Sequence, residues 1–194
     1  DAHTTFRQNW DYHLKHMLNF LRNRVEKPIL SSYPLDIKNI NKKTVTTINC
    51  EVLSASDIPQ TFQAHEKPFG YFYKGYFVAA GAFFTYGHFL KEINFDYTLE
   101  HVFNGEEIYY DILAYTHGWN VYSFADNYLY HKYQTSEEKI NDGPEYSSDM
   151  NKIDSKNYSN IQEKSLQKIK NLFNNNHLGN KRSVDSFWNE VGFD

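Results

Sequence analysis

Cysteine is almost absent: Cys50 is the only one in 194 residues. No internal disulfide can form, so nothing in the chain calls for an oxidising compartment. Long apolar runs are missing too. None approaches the ~20 residues of a membrane-spanning helix, and no secretory signal is present. The chain opens at Asp1 rather than at methionine, which points to a processed or truncated start. There is also no surplus of positive charge. Twenty Lys and Arg face 24 Asp and Glu, for a net charge of -4. Nucleic acid is therefore a poor partner, because phosphate-backbone binding needs Lys and Arg concentrated on one face. An anionic ligand stays compatible with such a chain if a metal ion neutralises it.

What the chain does have is apolar and aromatic mass. Hydrophobic residues make up 40% and charged residues 23%, enough for a packed core in one domain and not the composition of a disordered tail. The spacing of Leu14, Met17, Leu18, Leu21 and Val25 predicts a helix over 10–26, with Asn9 as cap and Lys27-Pro28 as stop. Ile29-Leu30-Ser31-Ser32-Tyr33 reads as a buried strand, 35–43 as a polar surface loop, and 44–53 as a β-branched strand. Tyr76 to Gly81 reads as a strand entering a tight turn of small residues. Residues 106–117 form a second amphipathic helix, with Ile108, Ile112, Leu113 and Tyr115 inward and Gly118 just past its end. Strands follow at 119–124 and 128–133, then a polar stretch over 134–158 read as a mobile loop. Helices at 159–173 and 184–191 close the chain, the last capped by Ser183 and stopped at Gly192. Helices and strands alternate, so the fold class is α/β.

Four features carry chemistry. Asp1-Ala2-His3 in extended backbone would put both ligating side chains on one side, fit for a divalent ion, although D-x-H also arises by chance. Gly105-Glu106-Glu107 opens a helix, where carboxylates suit the helix dipole; the functional alternative is a carboxylate facing a pocket. His131 lies on a strand of alternating aromatics, as a core histidine or as a ligand. Ala79-Ala80-Gly81 lacks side-chain bulk, which lets a ligand, or simply another backbone, come close.

In order, D-x-H, a strand ending in small residues, G-E-E and H-x-Y resemble the glycosyltransferases that move N-acetylglucosamine from UDP-GlcNAc to protein hydroxyproline. Those enzymes include the cytoplasmic one that acts on a ubiquitin-ligase subunit. The likeness is carried by DAHTTFRQNWD (1–11), KPILSSYP (27–34), YFVAAGAFFTYG (76–87), NFDYTLEHVFNGEEI (94–108), YTHGWNVYSF (115–124), HKY (131–133) and LGNKRSVDSFWNEVGFD (178–194). It is patchy over 35–68 and 134–177. A more distant likeness is to the polypeptide N-acetylgalactosaminyltransferases.

The resemblance implies a GT-A fold, and within it the acceptor-side, metal-completing half; the nucleotide-binding half would precede Asp1. It implies Mn²⁺ held by Asp1, His3 and His131, a UDP-sugar donor, and a protein, peptide or glycan acceptor. Glu106 and Glu107 match the catalytic acidic pair, with Glu106 favoured. Ala79, Ala80 and Gly81 would line the donor-sugar site, while Trp10 and Trp119 match aromatic positions suited to sugar contact or core packing. A cytoplasmic setting and retention of configuration follow by the same analogy. The pattern departs after H-x-Y, where an Arg is common in the family and this chain has Gln134 and Thr135, leaving Lys132 as the nearby cation. The competing expectation is a non-catalytic carbohydrate-binding module or interaction domain, for which 16 Tyr, 15 Phe and 3 Trp supply ample aromatic faces.

Overall fold

The computed structural model describes residues 3–52, 57–102, 105–133, 146–173 and 178–192. In chain order its elements are β1 (Thr4–Phe6), α1 (Trp10–Arg22), β2 (Pro28–Ser31), β3 (Leu35–Asp36), β4 (Thr44–Val52), β5 (Pro59–Pro68), β6 (Lys74–Gly75), β7 (Phe83–Phe84), α2 (Phe89–Glu92), α3 (Glu106–Thr116), β8 (Asn120–Tyr122), β9 (Leu129–His131), α4 (Tyr146–Leu172) and α5 (Val184–Val191). A short 3-10 turn, Ile37–Asn39, follows β3.

The middle of the domain is a four-stranded sheet ordered β6-β8-β2-β7, in which β2 runs parallel to β8 and antiparallel to β7. Every residue of β2 is buried, as expected of a strand covered on both faces. Leu30 joins the Leu14, Leu18 and Leu21 stripe of α1 on one side. Ile29 joins Phe89, Ile93, Ala114 and Trp119 from α2, α3 and the turn after α3 on the other. This is the mixed α/β layering that the alternating pattern implied. A second sheet, β1-β9-β3, and the β4–β5 hairpin complete the strands among the described residues.

Helix α3 is the hub. Besides Ala114, it sends Ile108, Ile112 and Tyr115 toward Phe187 of α5, and Tyr109 toward Ile58 and Ile169. Fixed on three sides, it holds its N-terminal turn in a set position.

Several local expectations change. Helix α1 ends at Arg22 rather than near 26, because Leu21 O accepts from both Arg24 N and Val25 N and closes a turn. Asn9 sits at φ 60°, ψ 24° and makes no side-chain cap; capping geometry requires the extended region. The 35–43 stretch contains β3, since Leu35 is buried and pairs with Tyr130. Tyr76 to Gly81 is no strand: its amides go to side chains instead of a ladder, as described below. Of the 134–158 stretch read as a loop, 146–158 lies in α4, and 134–145 falls outside the described residues. The closing helix forms as expected, with the Ser183 hydroxyl accepting from Ser186 N and Gly192 at φ 84°. Among the described residues no helix is long and apolar enough to cross a membrane.

Candidate active site

Gly105 starts the site. Its φ of 98° is left-handed, and a Cβ there would come within 2.8 Å of Ile58 Cγ2. Only glycine satisfies both conditions, so the chain turns into α3 with Glu106 and Glu107 as its first two residues.

Facing them is the small-residue turn. Three successive amides of this turn are held by side chains from two elements, α3 and β2. Val78 N donates to Asp111 Oδ1 at 2.8 Å, Ala79 N to Ser31 Oγ at 2.8 Å, and Ala80 N to Glu107 Oε1 at 2.7 Å. Ser31 in turn donates to Ala82 O at 2.8 Å. This explains why an apolar, strand-like sequence does not form a strand: its donors are already committed to α3 and β2. Asp111 is fully buried, and burial first, then the nearby Glu107 charge, push its carboxyl well above the usual range. Burial thus favours its neutral form, and its second oxygen has no hydrogen-bond partner among the described residues.

The two glutamates differ. Glu107 is engaged at both oxygens: Oε1 by the Ala80 amide, and Oε2 by the Thr61 hydroxyl and by Tyr33 OH at 3.3 Å. Burial raises its pKa, partly opposed by the Ala80 and Tyr33 hydrogen bonds, while Glu106 adds to the rise. Tyr33 is itself pushed up to about 12 by burial, with the Glu107 charge contributing, and so remains a donor. For Glu106 the only cause of its raised pKa is burial, and among the described residues no hydrogen bond or ion pair engages its carboxylate. The helix dipole favours ionised carboxylates at this end, but loss of water outweighs it here. Glu107 is a brace between α3, β5 and the turn; Glu106 is the carboxylate available to a ligand.

The histidines meet across a strand pair. Strands β1 and β9 are antiparallel with Thr4 opposite His131, and Lys132 N donates to His3 O at 3.1 Å. The His3 and His131 rings are thereby 6.0 Å apart between centroids and nearly perpendicular. Burial, then His3, lowers the His131 pKa against the opposing pull of Asp36, which favours the neutral imidazole that ligates metals. Asp36, the register partner of His131 on β3, is occupied in accepting from Lys38 N. Two of the three residues expected as metal ligands are thus neighbours, and imidazole is a donor that suits a divalent ion such as Mn²⁺. The third, Asp1, lies outside the described residues, and among the described residues no cluster of three such side chains forms.

These parts open onto one cavity of about 320 Å³, lined by Ala80, Gly81, Glu106, Glu107 and His131 together with Tyr33, Pro34, Gln60, Thr61, Gly105 and Tyr133. A Cβ built at Gly81 would meet nothing within 4 Å, so the space before this glycine is open. Three expected residues lie elsewhere. Ala79 is buried behind the turn. Trp119 is 1% exposed and packed edge-on against Phe89, with its indole N–H on Glu92; it has no face to offer a sugar, and its role is core packing. Trp10, the first residue of α1, leans on Phe6 and packs against the core cluster that includes Leu14 and Leu30; it does not line the cavity.

Four contributors went unread in the sequence. Ser31 and Tyr33 read only as part of the buried strand in KPILSSYP, with no chemical role, and Thr61 lies on a strand formed by residues too polar to announce it. Asp111 was masked as an ordinary helix residue, although an acid on the inward face of α3, between Ile108 and Ile112, was a signal that could have found it.

A family model described as Glycosyltransferase (GlcNAc) matches residues 1–194, the whole chain. No curated protein and no solved structure matches.

Proposed function

Because the chain belongs to the GlcNAc glycosyltransferase family, we propose that it transfers N-acetylglucosamine, or a related hexosamine, from a UDP-sugar to a hydroxyl on a protein, peptide or glycan. The observation that carries this reading is the meeting of Ala80-Gly81, Glu106-Glu107 and His131 around one cavity. They come from three segments far apart in sequence, each of which carries its own sequence signal. At about 320 Å³ the cavity is at the small end of ligand sites, ~300–1,000 Å³, and suits a single sugar ring.

His3 and His131, with Asp1, would hold Mn²⁺. When bound, the metal offsets the diphosphate charge and stabilises UDP as it leaves. The chain's own residues set the geometry. Ala80 and Gly81 let the donor sugar approach the backbone, and Glu107 fixes that backbone by accepting the Ala80 amide. Glu106 stands beside the anomeric carbon or the acceptor hydroxyl, where a carboxylate orients the hydroxyl or stabilises positive charge at the sugar.

In a front-face transfer, the bond from the anomeric carbon to the β-phosphate oxygen breaks with its electron pair going to phosphate. The acceptor oxygen bonds to the same face of that carbon, and its proton passes to the departing phosphate oxygen. Configuration is then retained without an enzymic nucleophile.

A GT-A arrangement, hydroxyproline as the acceptor residue and a cytoplasmic setting belong to the same reading and rest on the resemblance. The test is Mn²⁺-dependent UDP release from UDP-GlcNAc by full-length protein. His3→Ala and His131→Ala should each abolish it while the melting temperature and circular dichroism stay native. Near-normal turnover in either variant removes that histidine from the metal site.

A further inference from the structure

A second cavity, of about 230 Å³, lies beside the first and shares Ala80, Glu106 and Glu107 with it. Its other walls are Val78, Phe83, Phe89, Phe95, Tyr110 and Ala114. Its character is opposite to that of the first. The Tyr110 hydroxyl accepts from Asp96 N at 2.9 Å, which ties it to the rim loop; the rest of the lining is aromatic and aliphatic, with two carboxylates along one edge.

Resting on the transferase reading above, we infer that this second cavity is the acceptor subsite and seats an apolar side chain of the acceptor polypeptide next to the hydroxyl being modified. Three observations select that occupant. The walls contain no Lys or Arg and, unlike the first cavity, no histidine to hold a neutralising metal, and two carboxylates face the opening, so a nucleoside diphosphate would be repelled. A second sugar would lose water from its hydroxyls and find polar partners along a single edge. A residue-sized apolar group fits the volume, and burying it brings the adjoining hydroxyl to the Glu106 edge, where the two cavities join.

The rim is built to hold such a group. Phe95 lines the cavity yet is 54% exposed, and it meets Tyr110 edge-on at 4.9 Å. Its loop does not rely on the aromatic contact alone. The next residue, Asp96, gives its amide to Tyr110, accepts from Thr98 N at 3.0 Å, and forms an ion pair with Lys168 of α4. An exposed aromatic fixed to two helices is preorganised, and a partner covering it gives up little conformational freedom.

The experiment measures binding and turnover separately on one preparation of full-length protein. Two fluorescein-labelled pentapeptides with a central threonine, followed by leucine in one and glycine in the other, are titrated by anisotropy. UDP-GlcNAc affinity is measured by calorimetry with Mn²⁺. Wild type should bind the leucine peptide at least about tenfold tighter than the glycine peptide, as burial of such a side chain implies. Phe95→Ala should erase the difference without moving UDP-GlcNAc affinity, and Phe95→Trp should restore it. Equal affinity for the two peptides in wild type overturns the subsite. So does a Phe95→Ala variant that weakens UDP-GlcNAc instead of peptide, which would make the cavity part of the donor pocket. UDP release by wild type is scored independently. Release without peptide discrimination keeps the transferase and removes the subsite, whereas discrimination without release keeps the subsite and removes the transferase.

Discussion

Glu106 and Glu107 are neighbours with separate tasks. A protein that spends Glu107 on three partners cannot also use it freely on substrate, so the two should respond differently to the same change. Glu106→Gln should lower kcat by ~10²–10³-fold if the carboxylate stabilises charge at the reacting groups, with a smaller effect on donor KM. A larger effect on donor KM than on kcat would make Glu106 a binding residue instead. Its raised pKa sets the sign with pH. The ionised form is lost as pH falls, and it is lost earlier than for a free glutamate at ~4.3. The wild-type rate should therefore show an acid limb above that value, absent in Glu106→Gln.

Asp111 makes a prediction of a different kind, because it acts through the turn. Its folded pKa is raised, so its stabilisation is complete below the ordinary aspartate value of ~3.9 and declines as pH rises from there toward the folded value. Asp111→Asn keeps an acceptor for Val78 N and does not titrate. Its melting temperature should gain on wild type steadily from acid to neutral pH; parallel curves would refute a raised pKa. Asp111→Ala strands the Val78 amide and should cost about 1–3 kcal/mol at acid pH, and less as pH rises.

At the level of the elements, the regular ones were readable because a periodic apolar stripe is a local property. Leu14, Leu18 and Leu21 announce α1, and Ile108, Ile112 and Tyr115 announce α3. The β5 strand was not readable. Gln60, Gln63, Glu66 and Lys67 carry no strand propensity, and the strand exists because β4 pairs with it over Thr44 to Val52, with one irregularity between Thr46 and Ile48. The turn at Tyr76 to Gly81 failed for the same reason in reverse. Its strand propensity is overridden by acceptors on Ser31, Glu107 and Asp111, which no local window contains. The glutamates and His131 could be named as candidates from their neighbours, but their division into brace and free group required the partners to be seen.

Leu18→Ala tests the stripe. A side chain 3% exposed in the α1 face should cost about 2–5 kcal/mol on truncation, seen as a lower melting temperature with kcat unchanged in the folded fraction. An unchanged melting temperature would contradict its burial.

Across the whole molecule, the tail is tied to the site through α3. Gly179 packs so closely on the far end of this helix that a Cβ would come within 2.4 Å of the Thr116 backbone. Arg182 donates from Nε to Tyr115 O at 2.8 Å and stacks over the Tyr115 ring at 4.1 Å. The likeness of 178–194 to a family's closing segment thus acquires a physical reason: Gly179 and Arg182 within it cap the hub helix that presents the glutamates. Gly179→Ala should force the tail off Thr116 and cost about 1–3 kcal/mol, while donor KM in the folded protein stays near wild type. A shift in donor KM larger than the loss of stability would show the tail reaching the site itself.

The decisive measurement is UDP release from a panel of UDP-sugars, with and without Mn²⁺, on full-length protein beside its Gly81→Val variant. Gly81 faces open space in the cavity, so the valine should fold normally and occupy the donor-sugar position. The account predicts metal-dependent release, fastest from UDP-GlcNAc, and its loss in Gly81→Val at unchanged melting temperature. Release from no donor, or equal release by the valine variant, would contradict placing hexosamine transfer in this cavity.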